Sequence, residues 1–157
     1  MGWQRGDVVW SSSNPTELHI PFLDPGNSGD ASLASYVKDN IEDEWRWQGW
    51  NLHLDLVKGT NQTAHIELQP GVTPHVVVAE NAIVMDANQP RTEYDARWAI
   101  RHEFGHILGF VDCYVEFYDE ERAVMVSYQI DTTNLMCSRR GALKQTHFDE
   151  LKRVYFR

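Results

Sequence analysis

Two histidines four residues apart, His102 and His106, bracket Glu103, and a further carboxylate, Asp112, follows six residues later. Neutral imidazole nitrogens and a carboxylate oxygen are donors that hold a divalent ion such as zinc, and a second carboxylate beside the ion can take a proton from water. On an α-helix each residue is turned by about 100° from the last, so residues 102 and 106 project from one face and their rings can converge on one ion. Glu103 then sits on the flank of that face, close to the ion yet not held by it. Residue types and spacing therefore predict a metal centre able to activate water. The HExxH pair alone is a weak signal, since a polar helical face can carry it by chance; Gly109 and Asp112 add two further constraints of spacing.

The elements that must position these residues are legible around them. Ala96, Ile100, Phe104 and Ile107 fall on the opposite side of the same helix as a buried stripe, with Arg97 and Arg101 between the two faces. The helix is expected over residues 93 to 109. Thr92 and Asp95 have the spacing of a capping box, and Pro90 lies just outside it. At the other end Gly109 can adopt positive φ and turn the chain back, so that Asp112 approaches the ion from a second direction.

Upstream, residues 16 to 20 predict a first strand limited by Pro21, and residues 24 to 30 are turn-forming, with Asp30 able to cap a helix. A calcium loop could be read into that acidic turn, but its spacing matches no EF-hand. Leu33, Val37, Ile41 and Trp45 repeat every four residues and give a backing helix from 31 to about 48. Leu52, Leu54 and Leu56, then Ala64, Ile66 and Leu68, alternate with polar residues and predict two half-buried strands around a turn at 59 to 61. His53 and His65 fall on the polar side of those strands and read as solvated or cross-strand residues rather than ligands. Two short strands, 75 to 79 and 82 to 85, precede the metal helix.

Beyond Asp112, the acidic residues Glu116, Asp119, Glu120 and Glu121 read as a solvated loop or helix face. Thr146 with Asp149 repeats the capping-box spacing ahead of a closing helix with Phe148, Leu151 and Val154 or Tyr155 on its apolar face, and His147 is expected on its exposed first turn. Residues 1 to 14, with Trp3 and Trp10, are expected to lie irregularly on the body.

A chain of 157 residues fits one domain, 1–157, with its own core, and the mixture of elements makes it α+β. Lys and Arg number 14 against 23 Asp and Glu, a net charge of −9 that argues against nucleic acid or an anionic membrane and mildly favours basic or neutral peptide segments. No apolar run approaches the roughly 20 residues needed to span a bilayer, and the first residues lack the basic-then-apolar pattern of a signal peptide.

The spaced set His102, Glu103, His106, Gly109 and Asp112, followed by Asn134, Leu135, Met136 and Cys137, resembles the metzincin clan of zinc endopeptidases, whose pattern is HExxHxxGxx followed by His or Asp, with a later methionine-bearing turn. The aspartate version is similar to the small snapalysin-type secreted proteases. The match covers residues 101 to 112 and the turn at 134 to 137; elsewhere only the order of elements agrees. The resemblance implies one Zn2+ held by His102, His106 and Asp112, with Glu103 as general base and Met136 packed beneath the ligands. It also implies a twisted mixed sheet of about five strands with a backing helix, the metal helix and a C-terminal helix. An antiparallel edge strand, at 75 to 79 by order, would offer its backbone to a peptide, unless its valines merely fill the core. An aspartate ligand would leave the site about one unit less positive than three histidines, and its water less acidic.

Further expectations hang on that resemblance. If the third-ligand loop and the methionine turn meet under the ion, Cys113 and Cys137 come close enough for a disulfide; two free buried thiols are the alternative. Tyr114, Tyr118 and Tyr128 are candidate oxyanion helpers, and Ser138, Arg139 and Arg140 stand where they can shape the pocket for the residue after the scissile bond. The expected activity is hydrolysis of peptide bonds in a peptide or protein substrate, by a monomer. A secreted or extracellular setting follows from the clan, with an intracellular one also open. Rival readings are a zinc-stabilised binding module that cleaves nothing, a gluzincin-type peptidase taking its third ligand from Glu116, Glu120 or Glu121, and a structural protein that binds no zinc.

Overall fold

A computed structural model describes residues 1–25, 31–59, 63–88 and 94–157 of the chain. The expected cap at Asp30, residues 60 and 61 of the expected turn, and the helix start at Pro90 and Thr92 lie outside the described residues.

Leu33, Val37 and Ile41 are buried along one side of helix α1 (Ala31–Glu44), as their spacing requires. The helix ends at Glu44 rather than near 48, because the chain turns at once into a hairpin. Strands β2 (Arg46–Trp47) and β3 (Trp50–Val57) pair antiparallel across Gln48 and Gly49, whose φ values of 45° and 88° make the tight turn that suits twisted strands. Trp45 stays buried in line with the helical stripe, and its indole N–H donates to the Arg101 carbonyl at 3.2 Å.

Strand β1 (Glu17–Leu23) runs parallel to β3 and continues through Pro21. The backbone of Thr16 and Asp24 bonds toward β3, whereas the N–H of Leu23 points the other way, to the Ala64 carbonyl. Pro21 shares the direction of Leu23, so its missing N–H faces off the β3 ladder and costs no bond there. His19 and His53 are cross-strand partners on this pair, rings 5.3 Å apart.

Strands β4 (His65–Gln69), β5 (His75–Val77) and β6 (Ala82–Asp86) form a second sheet in the order β4-β6-β5, with β4 parallel and β5 antiparallel to β6. The described strands thus lie in small sheets of three, three and two rather than one five-stranded sheet; the first two are mixed and meet at the Phe22–Ala64 bridge. A 3-10 turn, Val78–Glu80, replaces the end of the expected strand at 75 to 79; Val78 is exposed, whereas Val76 is partly buried against the core. Leu68, at the end of β4, is exposed as well.

Helix α2 (Tyr94–Ile107) lays Ala96, Ile100, Phe104 and Ile107 against the core, where Trp45 packs on Phe104 and Phe110. Strands β7 (Tyr114–Asp119) and β8 (Val124–Gln129) then form an antiparallel hairpin. A hairpin therefore stands where a loop or helix face was expected: Glu116 and Asp119 are on β7, and Glu120 and Glu121 are in its turn. Helix α3 (Gln145–Tyr155) closes the body with Leu151 and Tyr155 fully buried. The irregular N-terminal segment is stitched onto it, with Trp10 bridged to Phe156 and the Gly2 N–H donating to the Gly109 carbonyl at 2.8 Å. Among the described residues no helix is long and apolar enough to cross a membrane.

Candidate metal centre

The end of α2 sets the geometry. Phe110 N–H bonds to the Gly105 carbonyl and Gly109 N–H to the His106 carbonyl, the paired closure of a helix whose next residue is left-handed; Gly109 has φ +100°. A Cβ at Gly109 would collide with the Trp3 carbonyl, so both space and conformation call for glycine. The reversal brings Asp112 back over the helix face, where its Oδ1 lies 3.1 Å from His102 Nε2 and 3.2 Å from His106 Nε2.

Each ring is held from behind. His102 Nδ1 is 2.7 Å from the Leu135 carbonyl and His106 Nδ1 is 2.9 Å from the Phe110 carbonyl. A carbonyl only accepts, so each Nδ1 carries the proton and each Nε2 turns a lone pair toward Asp112. One ligand atom from each of His102, His106 and Asp112 can be chosen so that all lie within 4.8 Å of one another. Three lone-pair donors aimed together repel unless a cation or a proton lies between them, and the set could hold a metal ion.

Protonation responds to the same crowding. Burial works to lower the pKa of His106, but its bonds to Asp112 and the Phe110 carbonyl outweigh that and leave it raised. Burial works to raise that of Asp112, yet hydrogen bonds from the two histidines, once protonated at Nε2, hold its carboxyl well below the usual range. Glu103, 4% exposed, has its pKa raised by burial, against the opposing pull of His102, His106 and Arg139.

The turn at 134 to 137 lies under this site. Met136 is buried with its Sδ against Gly105, a position in α2 that a Cβ would fill. Cys113 and Cys137 form a disulfide, and Cys113 N–H donates to the Met136 carbonyl at 3.0 Å, so the Asp112 loop is fastened twice to the methionine turn.

His147 is the residue the sequence misplaces. It is 5% exposed rather than on an open first turn, because α3 begins at Gln145 and no Thr146–Asp149 capping box forms. Its Nδ1 accepts the Lys144 N–H at 2.9 Å, so its Nε2 must donate to Asn134 Oδ1 at 3.0 Å. The same Asn134 oxygen accepts the Met136 N–H at 2.8 Å. A strut thus runs from α3 through Asn134 into the turn whose Leu135 carbonyl orients His102. Burial, then the nearby Lys144 charge, push the His147 pKa down to about 4.

Around the centre, a cavity of about 670 Å³ lies between Trp98 of α2, the β7–β8 hairpin and residues 137–140. A second, of about 400 Å³, lies between residues 71–74, the end of β6 and α2, and both share Thr73 and Arg139. Arg139 Nη2 donates to the Pro74 carbonyl at 3.2 Å and lies 3.5 Å from Glu103 Oε1. Of the three tyrosines singled out in the sequence, Tyr114 stacks near His102, centroids 6.4 Å apart, and lines the larger cavity, while Tyr118 and Tyr128 are exposed on the hairpin. Burial, then the charge of Asp112, raise the Tyr114 pKa to about 12, so its phenol keeps its proton. Among the described residues, His102, His106 and Asp112 form the metal-capable group; Glu116, Glu120, Glu121, His53 and His65 are not part of it.

Comparison of the chain with protein-family models, with curated proteins and with solved structures returns no match.

Proposed function

We propose that the chain is a zinc-dependent endopeptidase with a metzincin-like arrangement of helix, sheet and methionine turn. The observation that carries this reading is the convergence of two backbone-anchored imidazole lone pairs and a carboxylate beside the buried Glu103. Zinc held by these three donors would keep one coordination position open and lend Lewis acidity to water and to the scissile carbonyl.

The remaining steps belong to the chain's own side chains. Glu103 accepts the proton of the attacking water and then delivers it to the departing amine nitrogen, and its burial makes it the stronger base that this role needs. A buried carboxylate beside the three donors is what a general base needs, and a module that only bound metal does not require it. The Tyr114 phenol, protonated and at the cavity wall, can donate to the oxygen that gains charge on the carbonyl. Strand β5 is the antiparallel edge of its sheet, so an extended peptide can add to it as a further strand, with side chains entering the cavities on either side of Arg139. The disulfide suits an oxidising compartment, which favours a secreted protein.

The test is a Glu103→Ala variant assayed with a peptide library and by metal analysis. The variant should keep its zinc while hydrolysis falls about 10² to 10⁴-fold, and a chelator should abolish cleavage by the wild type. Undiminished hydrolysis by the variant, or cleavage indifferent to the chelator, would remove the mechanism.

A further inference from the structure

Arg139 stands where the two cavities meet, beside the proposed general base, and its surroundings suit an anionic ligand. Both of its protein contacts, to the Pro74 carbonyl and to Glu103, run through Nη2; Nε and Nη1 have no protein acceptor among the described residues. A guanidinium presents its N–H groups as a planar fork matched to a carboxylate, so the unused donors leave room for one. The side chain is 43% exposed, open to the cleft but anchored at its tip.

The larger cavity has the matching character. Hydroxyls of Tyr114 and Ser138, the Gln129 amide and the side chains of Arg139 and Arg140 line it, and among the described residues Trp98 is its one large apolar wall and Glu116 its one carboxylate. Such a wall suits a polar or anionic side chain better than a large aliphatic one. The chain as a whole carries −9, so attraction for an anion cannot come from its overall field and has to be local.

Building on the peptidase reading, we infer that Arg139 is a specificity-determining residue that binds a substrate carboxylate next to the scissile bond. Preferred substrates then carry Asp or Glu, or their own C-terminal carboxylate, at the residue that enters the larger cavity. Because Arg139 Nη2 lies 3.5 Å from Glu103 Oε1, an anion paired with the guanidinium sits within a residue or two of the carbon under attack.

The experiment compares otherwise uncharged peptides bearing Glu, Gln or Lys on each side of the cleaved bond, with free and with amidated C-termini, on the zinc-loaded wild type and on Arg139→Glu and Arg139→Gln. The wild type should cleave the best-placed carboxylate peptide with kcat/KM about tenfold or more above its neutral counterpart, with Lys poorest. Arg139→Gln should flatten that preference and Arg139→Glu should invert it. Preference for Glu in amidated peptides assigns the carboxylate to a side chain and preference for the free acid assigns it to the chain end; either supports the subsite. Equal cleavage of Glu, Gln and Lys peptides whichever terminus they carry, or a preference that Arg139→Glu leaves intact, overturns it. Should the wild type cleave nothing, the peptidase reading fails by itself. Binding of the same peptides, followed by fluorescence anisotropy, then decides the inference, and equal affinities for carboxylate and neutral forms overturn it.

Discussion

Acidification should loosen this protein through His147 before it does so through most carboxylates. The ring is buried and neutral, accepting from Lys144 N–H on one side and donating to Asn134 on the other. A proton on Nδ1 would face a donor and bring charge into a buried site. The folded pKa of about 4 lies below the ordinary 6.5, so as pH falls the unfolded chain binds the proton first. Stability supplied by the neutral ring is therefore complete above about pH 6.5, declines between 6.5 and 4, and is gone below that. At about 1.4 kcal/mol for each tenfold change in proton affinity, the displacement amounts to about 3 kcal/mol. His147→Gln removes the titration while keeping an amide donor for Asn134. Urea unfolding of both proteins, stripped of metal with a chelator, should show the wild type's advantage shrinking by about that amount between pH 7 and pH 4. Groups common to both proteins cancel in the difference, including His106, whose raised pKa acts in the opposite sense. A gap between the two proteins that stays constant with pH would refute the buried, neutral His147 and the strut built on it.

Two further outcomes follow from the same geometry. Bound zinc should be released as pH falls through roughly 6 to 5, because protons compete for both imidazoles; metal content after dialysis checks this, and a flat profile counts against His102 and His106 as ligands. Removing the Cys113–Cys137 bridge, which spans 24 residues, should cost about 3 kcal/mol and lower the unfolding midpoint by roughly 6 to 12 °C; an unchanged midpoint after reduction or double Cys→Ser substitution would show that the bridge constrains nothing.

Local signals made the centre of the molecule readable. Periodicity placed His102 and His106 opposite Ile100 and Phe104, and a glycine one turn on marked where the chain reverses toward Asp112. The features that escaped depend on partners distant in sequence. His147 looks exposed beside Gln145 and Thr146, and is buried only because Phe110 and Asn134 come against it from elsewhere in the chain. Gly105 carries no local sign that Met136 will rest on it. Trp45 keeps the helical spacing although the helix has ended, since the same buried side serves both the helix and the start of the β2–β3 hairpin. Division of the strands into small sheets is likewise a matter of non-local pairing, which alternation alone does not specify. The β7–β8 hairpin did leave a trace: Val115 and Phe117, then Val124 and Val126, alternate around a turn in which Asp119 caps the Arg122 N–H.

Zinc-edge X-ray absorption on protein loaded with zinc and freed of excess metal probes the proposed centre most directly. One equivalent should remain, its first shell made of two imidazole nitrogens and oxygen at about 2.0 to 2.1 Å, and a His106→Ala variant should lose the zinc. A shell containing sulfur, a shell that His106→Ala leaves unaltered, or no stoichiometric zinc at all would contradict a metal held by His102, His106 and Asp112.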